Sequence, residues 1–120
     1  MKTAKTEEDY RMAHYLIAQV KVNDDSWIPD YAANVHNIVH RHGGKYLSRS
    51  GSITTLEGKE STADLLALIE FPTENAMHEF MSDPDYAPYA EARKVGTDSQ
   101  LIGIDATDAA GTIPYLTVDN

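Results

Sequence analysis

Hydrophobic and polar positions along the chain fall into blocks of changing period. The run HYLIAQVKV (14–22) is apolar on both parities: His14, Leu16, Ala18, Val20 and Val22 share one face, and Tyr15 and Ile17 lie on the other. A strand covered on both sides reads this way. NDDSW then opens a helix, with Asp25 or Ser26 as its cap and Pro29 in the first turn, where a missing N–H is tolerated. Trp27, Tyr31, Val35, Ile38 and Val39 recur at helical spacing and predict a buried stripe. HRHGG is first of all a helix ending: Gly43 supplies the left-handed residue after the last turn, and His40, Arg41 and His42 sit where the helix dipole favours cations.

KYLSRS (45–50) reads as a second strand, turning or bulging at Gly51, with ITTLEG continuing it to Gly58. DLLALIEF (64–71) is almost continuously apolar and predicts another strand buried on both faces. Pro72 ends it, and Thr73 caps a helix whose Ala76, Met77, Phe80 and Met81 point inward. A further helical piece begins at Asp83-Pro84 and restarts at Pro88, which has no N–H to donate. It runs to about Val95, and SQLIGIDA (99–106) is the last strand.

Strand, helix, two strands, helix, strand is the split βαβ order. The predicted fold is α+β and ferredoxin-like, βαββαβ, an antiparallel four-stranded sheet with helices on one face. Residues 1–12 form a polar arm, 13–108 the domain and 109–120 a tail. The helices cover one face of the sheet, yet the first and third strands are apolar on both. A second copy of the chain is the economical cover for the other face.

Composition narrows the partners. Ten basic and 19 acidic residues give 10 − 19 = −9, so phosphate backbones and anionic membrane surfaces are not expected partners. The absence of cysteine removes disulfides, thiolate metal sites and thiol nucleophiles together. No apolar run approaches the ~20 residues of a membrane span. MKTAKTEEDYR lacks the apolar stretch of a secretory signal, and the cytoplasm is the expected compartment.

Candidate chemistry is sparse. His36 and His40 are four apart on one helix face, a two-point metal grip, but no carboxylate on that helix is spaced to complete it; no metal is expected. By alternation Arg49 shares a face with Lys45 and Leu47, with Tyr46 and Ser48 on the other. Buried, its guanidinium needs a partner, either Glu57 or Glu70 in a structural ion pair, or a ligand carboxylate or enolate. Arg93 poses the same alternative. Trp27, Tyr31 and Tyr86 are either plain core or the walls of a pocket. No nucleophile elbow, phosphate loop or dinucleotide fingerprint is present.

GGKYLSRSG, LEG, LIEFPT, DPDY with Arg93 beyond it, and LIGI, taken in this order, resemble the small bacterial proteins of domain-of-unknown-function family 1330, over about residues 13–106. The resemblance implies a dimeric α+β barrel in which two ferredoxin-like sheets pack face to face. It also implies structural similarity to cofactor-free antibiotic-biosynthesis monooxygenases, muconolactone isomerases and haem-degrading relatives. Lys45 replaces a frequent arginine of that pattern, Ser50 a frequent glycine, and Pro88 interrupts a helix that is usually regular. The function expected is a homodimer binding a small organic ligand between helices and sheet, and acting as a cofactor-free oxygenase or isomerase. In that reading His36, Glu70 or Tyr31 is the base, Arg49 or Arg93 the anion contact, and Trp27, Tyr31, Tyr86 and Arg93 hold the ligand. The alternatives are a non-catalytic binding or stress-associated module and, last, haem ligation by a histidine.

The tail gives the first prediction. Four strands at ~4.8 Å and about six residues at ~3.3 Å make a sheet face of roughly 400 Å². Its burial offers about 10 kcal/mol per protomer at ~25 cal/mol per Å². Association and side-chain ordering cost a comparable ~4–15 kcal/mol. Ile113, Pro114, Tyr115, Leu116 and Val118 supply further apolar surface for the partner. Truncation after Ala109 should therefore weaken a micromolar dimer by roughly tenfold or more, about 1.4 kcal/mol, measured by sedimentation equilibrium. An unaffected truncation removes the role of the tail, and a monomeric wild type removes the dimer.

Overall fold

The computed structural model describes residues 12–111. Strand β1 (His14–Val22) leads to helix α1 (Ile28–Arg41), strand β2 (Lys45–Ser50), strand β3 (Leu65–Phe71), helices α2 (Glu74–Met81) and α3 (Ala87–Gly96), strand β4 (Thr97–Asp105) and a 3₁₀ turn at Ala109–Gly111. The sheet order is β2-β3-β1-β4, antiparallel throughout. This is the ferredoxin-like α+β arrangement, with the first strand central and the last on an edge. The arm lies outside the described residues up to position 11, and the apolar part of the tail lies outside them from 112 onward.

Parity along β1 and β3 sets the core. His14, Leu16, Ala18 and Val20 stand opposite Phe71, Ile69, Ala67 and Leu65, and this side faces the helices. Leu16, Ile69 and Phe71 are fully buried with Val35, Ile38 and Val39 of α1 and Met77 and Phe80 of α2. Phe80 stacks between Phe71 at 5.6 Å and Tyr86 at 4.4 Å. Tyr15, Ile17, Leu66, Leu68, Ile102 and Ile104 occupy the opposite side, which none of the described helices covers; Ile102 is 44% exposed and Ile104 54%.

Helix ends follow local chemistry. Thr73 accepts the Ala76 N–H at 3.0 Å and caps α2. Pro88 lies in the first turn of α3, so its missing N–H falls among the unpaired donors of a helix start. Gly43, at φ +79°, carries the chain out of α1. The α1 cap differs from expectation. Trp27 occupies it without a side-chain hydrogen bond, and Asp24 rather than Asp25 or Ser26 organises the turn by accepting from Ser26 N and Oγ at 3.0 Å. Two further expectations fail. Residues 51–64 form no strand: Ser50 pairs with Leu66 and β3 begins at Leu65, so a continuation of β2 through ITTLEG runs past the end of its partner. Met81 is 40% exposed, because the short α2 buries only Met77 and Phe80.

One ionic knot ties the end of α1 to the α2–α3 loop. Asp83 receives Arg41 Nη2 and His42 Nε2, each at 2.6 Å, and Arg41 also reaches Asp85 at 3.1 Å. The Asp83 side chain is 10% exposed, and these bonds hold its carboxyl well below the usual carboxylate range, the His42 contact first and Arg41 second. A carboxyl whose folded pKa lies below its unfolded ~3.9 adds stability that is whole above about pH 5 and fades as the pH falls towards the folded value. The melting-temperature gap between wild type and Asp83→Asn should therefore be widest at neutral pH and narrow steadily from about pH 5 to about pH 2. A gap independent of pH would show that Asp83 acts by packing alone.

Candidate functional site

Helix α1 lies tight on the sheet only through its second half. Val35, Ile38 and Val39 are buried, while Ile28 and Ala32 are exposed and Tyr31 is half-buried. Beneath them is a cavity of about 400 Å³. Leu16, Ala18 and Val20 of β1 with Ala67 and Ile69 of β3 form its apolar floor.

The β1–α1 loop fixes the raised end. The Asn23 and Asp24 N–H groups donate to the Gly96 carbonyl at 2.8 and 3.0 Å. Gly96 is required here by space: a Cβ would come within 2.5 Å of Trp27 Cδ1. Trp27 therefore lies against the end of α3, edge-on to Tyr31 with ring centroids 5.1 Å apart. Tyr31 reaches Tyr86, hydroxyl to hydroxyl at 3.1 Å. Burial raises the Tyr31 phenol far above its ordinary value, and the neighbouring Tyr86 adds to the shift. Tyr31 thus stays protonated and can donate to a ligand, but is unsuited to the role of base.

Strand β2 supplies the mouth. Tyr46 pairs with Ile69 and Ser48 with Leu68, so Leu47 is an extra, bulged residue. The bulge resets parity: Arg49 stands opposite Ala67 and faces the helices on the same side as Tyr46, not with Lys45 and Leu47 as strict alternation requires. Its guanidinium lies 3.9 Å from the Tyr46 ring centroid. Arg49 Nη2 donates to His36 Nδ1 at 2.9 Å. Arginine only donates, so Nδ1 is an acceptor and His36 carries its proton on Nε2. His36 stacks on Tyr46 at 5.7 Å and lies 4.1 Å from the His40 ring. Desolvation first, then His40 and Arg49, lower its pKa and favour the neutral imidazole.

Arg93, on α3, forms the far wall. It is 4% exposed and donates from Nη1 to Ser99 Oγ at 2.6 Å. Among the described residues neither Arg49 nor Arg93 has a carboxylate partner.

The sequence-predicted residues Trp27, Tyr31, His36, Arg49, Tyr86 and Arg93 all border this one cavity. Glu70 does not: it pairs with Tyr15 and Lys45 on the opposite side of the sheet, so it reaches neither the cavity nor Arg49. Glu57, the other candidate partner of Arg49, lies exposed in the 51–64 segment. Sequence patterns assign Tyr46 and Ser99 no place in a site. Tyr46 is separated from Arg49 by strict alternation, and nothing in KYLSRS announces the bulge. Ser99 matters only through Arg93, a pairing that no local pattern reveals. Among the described residues no three histidine, aspartate or glutamate side chains converge on a point that could hold a metal, and no helix is long and apolar enough to cross a membrane.

Known structures share this architecture. A protein of unknown function from Rhodopseudomonas palustris aligns with a TM-score of 0.68 at 21% identity, covering 88% of this chain and 96% of that one. SnoaB, a cofactor-independent oxygenase from Streptomyces nogalater, aligns at 0.57 and 14% identity, covering 87% and 99%. A dimeric ferredoxin-like protein of unknown function from Thermobifida fusca aligns at 0.51 and 13%, covering 86% and 99%. At these identities the likeness is one of fold. No curated protein matches the sequence. The family model for a domain of unknown function, DUF1330, matches residues 13–107, and with a match of that extent the chain belongs to this family.

Proposed function

We propose that the protein is a homodimer that binds a compact organic ligand between α1 and the sheet and converts it without a cofactor, by oxygenation or isomerisation of an activated carbon acid. One observation carries the reading: an apolar cavity of about 400 Å³, within the usual size of ligand sites, on which a neutral imidazole, two guanidiniums without carboxylate partners and three tyrosines converge. Sharing a fold with a cofactor-independent oxygenase agrees with it. The apolar side of the sheet that the described helices leave open, with Ile17, Leu68, Ile102 and Ile104, supports the dimer.

His36 is the base in this scheme. Arg49 occupies its Nδ1 lone pair. A ligand oxygen that becomes negative competes for the guanidinium, and as Arg49 turns to it, Nδ1 is freed to take the proton from the adjacent carbon. The C–H electron pair moves into the enolate, whose oxygen Arg49 then stabilises. Return of the proton to another carbon is isomerisation; transfer of electrons from the enolate to dioxygen begins oxygenation.

Two experiments test this. A thermal-shift screen with small aromatic, keto and enol compounds should find a ligand, since a hundredfold excess over the dissociation constant adds ~2.7 kcal/mol of stability. Oxygen uptake or isomer formation with that compound marks an enzyme, and a compound unchanged after hours marks a binder. Should no compound shift melting, the ligand site itself is lost. For the compound found, His36→Gln should keep binding and lose ~10²–10⁴-fold in turnover, the usual contribution of a positioned base. Arg49→Met should leave stability within about 0.5 kcal/mol, because Arg49 is exposed at the mouth and holds no carboxylate, while weakening ligand binding. Unfolding of Arg49→Met would instead make that residue structural.

A further inference from the structure

The polar groups around the cavity are unevenly satisfied, and the imbalance has a sign. Arg93 is 4% exposed, yet its guanidinium makes one hydrogen bond among the described residues, from Nη1 to Ser99 Oγ. Its Nε is enclosed and has no acceptor, and the indole Nε1 of Trp27, on the same cavity, has none either. A buried cation without a counter-charge is costly, and an enclosed N–H without an acceptor adds to that cost. Among the described residues no aspartate or glutamate pairs with this arginine. Asp64, the one carboxylate among the described residues that border the cavity, is turned to the Val22 N–H at 2.7 Å.

Arg49 is a different kind of cation. It is exposed, lies over Tyr46 and is engaged by His36, so solvent and two neighbours already meet its charge. Arg93 is buried and lines the cavity. The neighbouring wall is aromatic, with Trp27, Tyr31 and Tyr86 meeting edge to face. A cavity of ~150 Å³ accommodates benzene, so about 400 Å³ has room for roughly two fused rings and a substituent.

From this we infer the ligand class: a planar organic monoanion of about two fused rings, its carboxylate or ionised enol oxygen seated on Arg93 and its rings along the Trp27–Tyr31–Tyr86 wall. The inference rests on the cavity being the ligand site and names what that site selects.

Isothermal titration of the full-length wild type with 2-naphthoate, its neutral analogue 2-naphthalenemethanol and the cation 2-naphthylmethylammonium tests it. Naphthoate should bind roughly tenfold or more tightly than the alcohol, the margin of a charge-assisted over a neutral hydrogen bond, and the ammonium compound should not bind. Arg93→Met should abolish the preference for the acid, and Arg93→Lys should restore part of it. The comparison of three compounds on the wild type stands whether or not the methionine variant folds. Equal affinity for acid and alcohol overturns the anion while leaving the cavity as a ligand site. Failure of all three to bind overturns both.

Discussion

Helix α1 is fastened at both ends and packed at only one. Its C-terminal half presses Val35, Ile38 and Val39 onto β1 and β3, and the Arg41–His42–Asp83 knot locks that end to the α2–α3 loop. Its N-terminal end hangs from the Gly96 carbonyl through the Asn23 and Asp24 amides, with the bulk of Trp27 propped against α3. A rod held this way cannot settle onto the sheet along its whole length, so the space under its first two turns persists. Six of the seven side chains that the sequence offers for chemistry border that gap.

Much of the frame is legible in the sequence because it rests on local rules. Parity in HYLIAQVKV gives β1 and its two apolar sides, Gly43 ends α1, Thr73 starts α2, and Pro88 marks where α3 begins. What cannot be read depends on neighbours distant in the chain. Residues 53–58 look like strand, but whether they pair is decided by where β3 begins, and the Ser50–Leu66 register carries them past its end. Met81 continues the helical stripe, but α2 stops before there is core for it to enter. Trp27 has the spacing of a core residue of α1, yet it sits at the cap and packs on Gly96, far along the chain.

For the site, the residue types were readable and their grouping was not. The sequence places two arginines, a pair of histidines and three aromatics on separate elements. The fold brings six of the seven expected residues to one cavity and sends Glu70 through the sheet to the other side. Parity in β3 alone is enough to separate Glu70 from Ile69 and Ala67. Deciding which parity belongs to the cavity requires knowing which face the helices take. The burial of Arg93 likewise depends on α3 lying against β4, a contact between segments whose own patterns are unremarkable.

The extra residue at Leu47 makes β2 a strand with a change of phase in the middle. Before it, odd-numbered positions look away from the helices; after it, even-numbered ones do. Two chains that align residue for residue through this strand, one bulged and one regular, would present opposite faces from the same column. An arginine at the position of Arg49 would guard the cavity in one and sit on the uncovered side of the sheet in the other. Identity at that column is therefore no measure of shared chemistry unless the phase of the strand is known.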